Sequence, residues 1–445
     1  MEPAFAAFLK SLDETQYLAP DRLLAYQRRL AERLLHHARS ETDFYAGRLN
    51  PMFRADGTID WERWEEIPIL TRPEAQENEA ALAARSSPPA AGEAIPSTTS
   101  GSTGQPLRHF NSAIQNLASA AANERFFAWH RLDPAALTGQ IVDLPPGIGS
   151  YPEGIASESW RPGYANSPAV ALSIDTSVIH QVEWLRRTKP ATLTTFPTNM
   201  REIGRIAREQ GVPFAFDALL TIGEHVSPQA RAEIRDRFGV NPLDRYGTTE
   251  IGHIAGACPQ SGRHHICAEL ALIEIVDESD RPVAAGTPGR IVATSLYNYA
   301  MPFIRCDTGD IGMLAATPCP CGRTLPLFES ILGRSRHIFR FIDGTSAFPH
   351  LESGEVERFV PHRQFQVVQT ALDRIEYRYV PVDPGQTNDI AGLTALVREL
   401  LHPSLTVEAV AVDAIPALPS GKREDYVSLL PELQPSLRHR LPSEK

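Results

Sequence analysis

Residues 191–224 read ATLTTFPTNMREIGRIAREQGVPFAFDALLTIGE. Two short apolar runs, ATLTTFP and FDALLTIGE, flank the helix-like NMREIGRIAREQ, and that alternation is the signature of an α/β domain. It extends upstream through IHQVEWLRR (179–187), the short apolar strand QIVDLPP (140–146) and a helix-like run around 111–130. Downstream, LALIEIVD (270–277), GRIVATSLY (289–297) and DIGMLAA (310–316) alternate or are β-branched between Gly and Pro turns, which predicts an antiparallel or barrel-like subdomain. Beyond Gly333, the strands QFQVVQTAL, RIEYRYVPV and LTVEAVAVDAI and the helix DIAGLTALVRELL form a second, compact α+β unit of about 110 residues. At the other end, Leu23, Leu24, Leu30, Leu34 and Leu35 recur at helical spacing among charged residues, the pattern of an amphipathic surface helix.

The chain has 445 residues, 42% hydrophobic and 22% charged, which excludes disordered, collagenous and coiled-coil classes and leaves room for two domains. With 54 acidic against 43 basic residues the formal net charge is −11, so neither nucleic acid nor an anionic membrane surface is an expected partner. No apolar run approaches a spanning helix and the N-terminal residues lack a signal-peptide pattern; the expected location is the cytoplasm. Five cysteines, all between Cys258 and Cys321, point there to thiols or metal ligands and not to a disulfide framework.

Several short segments carry residues suited to chemistry. Residues 97–106, STTSGSTGQP, crowd hydroxyls and glycines whose backbone N–H groups can approach an oligophosphate. Gln105 stands where a Walker A loop needs lysine, and by itself the stretch also reads as a flexible surface linker. In Asp244–Glu250, DRYGTTE, an aromatic ring suits a base, a threonine a phosphate oxygen and a carboxylate Mg²⁺. Ile304–Asp310, IRCDTGD, offers a carboxylate after a tight turn for two ribose hydroxyls, and Lys422 sits on the loop LPSGKR near the C-terminus.

The order of STTSGSTGQP, Gly223–Glu224, YGTTE, RCDTGD, GRSRH (333–337) and PSGKRE resembles the adenylate-forming superfamily of acyl-CoA synthetases and adenylation domains. Within it, the chain looks like the phenylacetate–CoA ligase family, to which AERLLHHARSETDFYAGRL, IPILTRPE and CPCGR are also similar. The resemblance implies a large N-terminal domain, residues 1–332, of α/β sheets plus a β-rich subdomain, and a small α+β C-terminal lid, residues 333–445. It implies phosphate binding by Ser100, Gly101, Ser102, Thr103 and Gly104, and an adenine site lined by Gly223 and Glu224 with Tyr246 against the base. Gly247 and Thr248 belong to the same nucleotide motif. Thr249 then faces the α-phosphate and Glu250 Mg²⁺, while Asp310 takes the ribose hydroxyls with Arg334 assisting and Lys422 is the catalytic lysine. ATP, a carboxylic acid and CoA are the implied ligands, an aromatic acid being favoured, and a homodimer the implied assembly.

Three departures matter. Gln105 replaces a frequent lysine, Asp307 places a carboxylate where the ribose motif carries arginine, and Arg336–His337 replace two hinge aspartates. The last opens an alternative in which the acyl group passes to an amine, a hydroxyl or a carrier-protein thiol, and together they admit a nucleotide-binding protein without catalysis. Cys258, His265, Cys319 and Cys321 suit tetrahedral zinc, although their C-x-C spacing by itself favours unligated buried thiols and His264 and Cys267 are rival ligands; the resemblance implies a structural zinc. Residues 146–154, PGIGSYPEG, have the wrong spacing for a dinucleotide fingerprint, and the resemblance implies that Tyr151, Gly154 and Ile155 border the acyl pocket. His109, His225 and His253 read as structural or surface residues.

Overall fold

The computed structural model describes residues 3–99, 106–334, 338–347, 349, 351, 353–383, 385–416 and 424–430. The opening segment lies in a six-stranded sheet of order Ile155–Ser157, Ala169–Ser173, Thr138–Val142, Thr192–Thr195, Ala218–Thr221, Pro242–Leu243. Only the first pair is antiparallel. Every residue of Thr192–Thr195 and Ala218–Thr221 is buried, as expected of strands covered on both faces. Between them runs the helix Pro197–Glu209, which buries Met200, Ile203, Gly204 and Ala207 at three- and four-residue spacing against a core containing Trp184, Leu193 and Leu219. Proline opens this helix and Phe196 at its N-cap offers no capping side chain.

The β-rich region is one seven-stranded antiparallel sheet of order Ala271–Val276, Pro288–Ser295, Cys306–Leu314, Leu327–Arg334, His264–Ile266, Gly252–Ala257, Arg245–Thr248. Its last strand directly follows the edge strand Pro242–Leu243 of the six-stranded sheet, so Asp244 is the point where the chain leaves one sheet for the other. A third sheet orders Thr406–Ala411, Arg374–Pro381, His362–Ala371 and Tyr426–Ser428 and has its own core, including Phe339, Val367, Tyr377, Leu393 and Val397. Gly333 and Arg334 pair with Ile311 and Asp310 in the seven-stranded sheet.

The N-terminal region packs on that sheet. Helix Pro20–Glu41 buries Leu23, Ala31, Leu34, Leu35 and Ala38, whereas Leu24 is 45% exposed because it lies about 100° around the helix from Leu23. Leu24 therefore does not belong to the apolar stripe. Further on, Leu70 N–H donates to the Arg305 carbonyl at 2.8 Å and Asp307 N–H to the Leu70 carbonyl at 3.0 Å. These bonds stitch the segment IPILTRPE beside the strand Cys306–Leu314, and they fix the start of helix Arg72–Glu77, capped by the Thr71 side chain. Among the described residues, no helix is long and apolar enough to cross a membrane.

Candidate active site

The strands Ala94–Thr98 and Arg108–Ser112, which flank the Ser/Thr/Gly stretch in sequence, pair antiparallel. Thr99 N–H donates to the Leu107 carbonyl at 3.0 Å and Leu107 N–H to Thr99 Oγ1 at 2.9 Å, closing the neck. Ser100, Gly101, Ser102, Thr103, Gly104 and Gln105 lie outside the described residues, as do Arg336, His337 and Lys422.

The returning strand holds the turn that carries Thr249 and Glu250. His109 Nε2 lies 3.1 Å from the Thr249 carbonyl, Asn111 Nδ2 donates to the same oxygen at 3.3 Å, and Gln115 Nε2 donates to the Glu250 carbonyl at 3.0 Å. Within the turn, Ile251 N–H donates to Thr248 Oγ1 at 3.1 Å. Two glycines make the crossing close: a Cβ on Gly247 would stand 2.5 Å from the Gly252 carbonyl oxygen, and Gly252, at φ +90°, would press one onto Ser119 Oγ. Gly252→Ala is therefore expected to cost about 1–3 kcal/mol from strain and overpacking, read as a lower urea midpoint at unchanged m-value. An unaltered midpoint would show that Ser119 yields freely.

Tyr246, Thr308, Asp310 and Arg334 meet on three strands. Tyr246 Oη donates to Asp310 Oδ2 at 2.8 Å, Thr308 Oγ1 lies 3.2 Å from the same hydroxyl, and Arg334 Nε sits 3.2 Å from Asp310 Oδ1. The Arg334–Asp310 register sets that pair, and Tyr246 reaches it from the edge strand Arg245–Thr248, which His264–Ile266 and Gly252–Ala257 separate from Leu327–Arg334 in the sheet. Burial pushes the Asp310 carboxyl above its ordinary value, against the pull of Arg334 and the Tyr246 bond. Burial likewise drives the Tyr246 phenol well up, so it remains a donor. Its ring packs edge-on against Phe328.

Glu250 lies near this group, and its charge is felt at both Asp310 and Arg334. Thr249 Oγ1 lies 3.2 Å from Glu250 Oε2. On the other side stands Arg72, unsuspected in the sequence, with Nη1 3.5 Å from Glu250 Oε1 and Nη2 2.5 Å from Thr99 Oγ1. Glu250 and Thr249 themselves offer oxygen ligands, the kind a hard cation prefers. No periodicity marks Arg72; only the IPILTRPE similarity placed that segment in a family-like context.

Glu224 has a second task. Its carboxylate accepts the Thr198 N–H at 3.0 Å and the Thr198 hydroxyl at 2.9 Å, capping from a distance the helix that Phe196 leaves uncapped. Gly223, at φ +73°, makes the turn that delivers it. Both follow the carboxyl end of the parallel strand Ala218–Thr221, where open α/β sheets bind ligands. Asp307 is paired with Arg290 Nη1 at 2.6 Å and accepts the Gly309 N–H at 2.8 Å, although Arg290 is shared with Asp280 and the Asp307 charge still helps to raise Asp310. His253 is buried and pushed down to about 3, so it is a neutral packing residue at physiological pH.

Tyr151, Gly154 and Ile155 gather elsewhere. The Tyr151 ring stacks on His180 at 4.3 Å, its hydroxyl donates to Glu183 at 2.8 Å, and it lines a pocket of about 190 Å³ with Pro145, Ile148, Ser173 and Asp175. Gly154, at φ +72°, has no room for a Cβ beside the Ala171 carbonyl and Trp184, and Ile155 is 47% exposed on the edge strand. Five strand spacings of about 4.8 Å separate that edge from Pro242–Leu243, roughly 24 Å.

Cys258, His265, Cys319 and Cys321 come together with donor atoms all within 4.8 Å of one another. Cys258 and Cys319 sulfurs are 3.7 Å apart, the edge of a tetrahedron with metal–sulfur bonds of about 2.3 Å. His265 Nε2 lies 3.2 Å from Cys321 Sγ. The rivals point away: His264 Nε2 meets Asp244 Oδ2 at 3.1 Å, and Cys267 accepts from Arg125 Nη2 at 3.3 Å in a buried cluster with Glu269, its thiol pushed up to about 11.

Over 92% of its length the chain superposes on 90% of 2-hydroxyisobutyryl-CoA ligase in the postadenylation state with its acyl-AMP, at a TM-score of 0.74 and 20% identity. The fold is that of the adenylate-forming CoA ligases. The same ligase with CoA in the thioesterification state gives a TM-score of 0.60 at 21% identity, again over 92% of this chain and 90% of that one. In sequence, the chain is 26% identical over 215 residues to phenylacetate-coenzyme A ligase of Thermus thermophilus, covering 46% of this chain and 48% of that protein. It is 32% identical over 144 residues to the enzyme of the same name from Escherichia coli, covering 31% and 32%. The resemblance read from the ordered motifs is thus borne out, with the chain matched over about half, or less, of the length of these curated relatives. No family model matches.

Proposed function

We propose that the protein activates a carboxylic acid with ATP and passes the acyl group to a thiol, CoA being the acceptor. One observation carries this reading: Tyr246, Asp310 and Arg334 bond to one another, with Thr249 and Glu250 on the turn that follows Tyr246, in the fold of the adenylate-forming CoA ligases. A carboxylate oxygen attacks the α-phosphorus, the bond to the β-phosphate bridging oxygen breaks, and pyrophosphate leaves. The thiolate then attacks the acyl carbon and AMP departs. Asp310 accepts both ribose hydroxyls, Tyr246 and Arg334 hold its carboxylate in place, Gly223 and Glu224 border the adenine, and Thr249 orients the α-phosphate. Lys422 stabilises charge on the attacking and α-phosphate oxygens. Glu250 would hold Mg²⁺, which when bound spreads the triphosphate's charge.

In this reading residues 1–332 bind nucleotide and acid, and 333–445 form a lid that swings Lys422 in and out. The favoured acid is aromatic; Tyr151, Gly154 and Ile155, five strand spacings from Pro242–Leu243, are too distant from Thr249 to touch a small acid held at the α-phosphate. Cys258, His265, Cys319 and Cys321 would hold a structural zinc, stapling the turn after Gly252–Ala257 to the loop before Leu327–Arg334 in a cytoplasmic protein.

ATP–pyrophosphate exchange over a library of aryl and short-chain acids, followed by product analysis with and without CoA, tests the proposal. Absence of exchange with every acid, with Lys422→Ala indistinguishable from the parent, would end it. Asp310 must be ionised to accept two hydroxyls, and burial raises its pKa. Affinity for AMP is therefore expected to fall as pH is lowered towards that raised value, whereas Asp310→Asn binds about 10-fold more weakly with a flat pH profile. Calorimetric titration across pH checks this; equal pH dependence in both proteins would remove Asp310 from the ribose site.

A further inference from the structure

Resting on that reading, we propose that Arg72 binds the β,γ-phosphate end of ATP, providing the positive charge that the phosphate loop itself lacks. Residues 94–107, AIPSTTSGSTGQPL, contain neither lysine nor arginine. A triphosphate end met only by hydroxyls and backbone amides leaves most of its charge uncompensated. The chain as a whole carries −11, so the compensation has to be local.

Arg72 stands where that charge is needed. Its Nη2 is anchored on Thr99 Oγ1 at 2.5 Å, and Thr99 is also the hydroxyl that closes the neck of the loop on Leu107. Nη1 reaches Glu250 at 3.5 Å, a loose pairing that a phosphate oxygen can replace. The side chain is 31% exposed and Glu250 13%, so the pair is not sealed in the core. The position is built and not incidental: the Leu70 bonds to Arg305 and Asp307 fix the chain just before it, and Thr71 caps its helix. Lys422 is assigned to the α-phosphate and the attacking carboxylate, so the two cations have separate tasks. A planar guanidinium suits bidentate contact with phosphate oxygens.

The test compares ATP with AMP, which lacks the β- and γ-phosphates, by calorimetry on the parent, Arg72→Ala and Arg72→Lys. Loss of a charge-assisted contact predicts about 10- to 100-fold weaker ATP binding in R72A, AMP affinity within about twofold of the parent, and substantial recovery of ATP binding in R72K. Pyrophosphate exchange in R72A should show a raised KM for ATP. If ATP and AMP weaken together, Arg72 merely braces the hairpin and the assignment fails. If neither weakens while the parent binds ATP and exchanges pyrophosphate, the assignment alone fails. A parent that binds neither nucleotide overturns the adenylation reading and this assignment with it. Thermal melting of each variant confirms that the compared proteins are folded.

Discussion

Glu250→Gln is expected to lower ATP–pyrophosphate exchange by about 10²–10³-fold, the scale on which removing one charge-stabilising group at a reacting centre acts. The substitution keeps shape and removes only the anionic charge. Glu250 is held through its own carbonyl by Gln115 and through its neighbour's carbonyl by His109 and Asn111, all of which survive the change, so the turn should stay folded. AMP binding should change little, since the proposed ribose contact lies on Asp310. The effect should grow as Mg²⁺ is reduced, because the carboxylate is the proposed ligand. An E250Q protein with parental exchange at every Mg²⁺ concentration would show that Glu250 serves only as Arg72's partner.

Removing metal from the Cys258, His265, Cys319 and Cys321 cluster is expected to have the largest effect on stability. Small zinc modules bind their ion with apparent free energies of about 10–16 kcal/mol, and recovery of even a third here would stabilise the sheet by about 3–5 kcal/mol. At about 2–4 °C per kcal/mol in a unit of this size, chelation or Cys319→Ser should lower the melting temperature by roughly 10 °C. Metal analysis of the parent should give one zinc per chain. His264 pairs with Asp244 from the residue beside this cluster, and Asp244 leads straight into Tyr246. Loss of the metal should therefore also weaken nucleotide binding while leaving the six-stranded core intact. A parent protein without metal, equally stable in the presence of chelator, would return these cysteines to the status of buried thiols.

Much of the site is local in sequence. Thr249 and Glu250 are adjacent, and Thr308 and Asp310 share one turn, so short motifs expose them. The partners that hold them are not local: Arg72 lies 178 residues from Glu250, and His109 lies 140 from Thr249. Glu224 shows the complementary gap. Its motif suggests an adenine contact, yet only the folded chain shows its carboxylate capping the helix that starts at Pro197.

Periodicity and motif order by themselves determined the α/β body, the β-rich region and the small C-terminal unit, because strand and helix periods are written residue by residue along the chain. The four metal-ligand candidates were legible as a set only through resemblance, since their residue types fit free thiols as well. What chose among Cys267, His264 and the other donors was tertiary structure: Arg125 claims one, Asp244 the other, and the remaining four bring their donor atoms within 4.8 Å of one another. In the same way, the fold alone decided that Asp307 pairs with Arg290 and that Arg72 meets Thr99 and Glu250. Each depends on which side chains long-range pairing brings within hydrogen-bond reach, and that proximity is a property of the packed sheets with no trace in local composition.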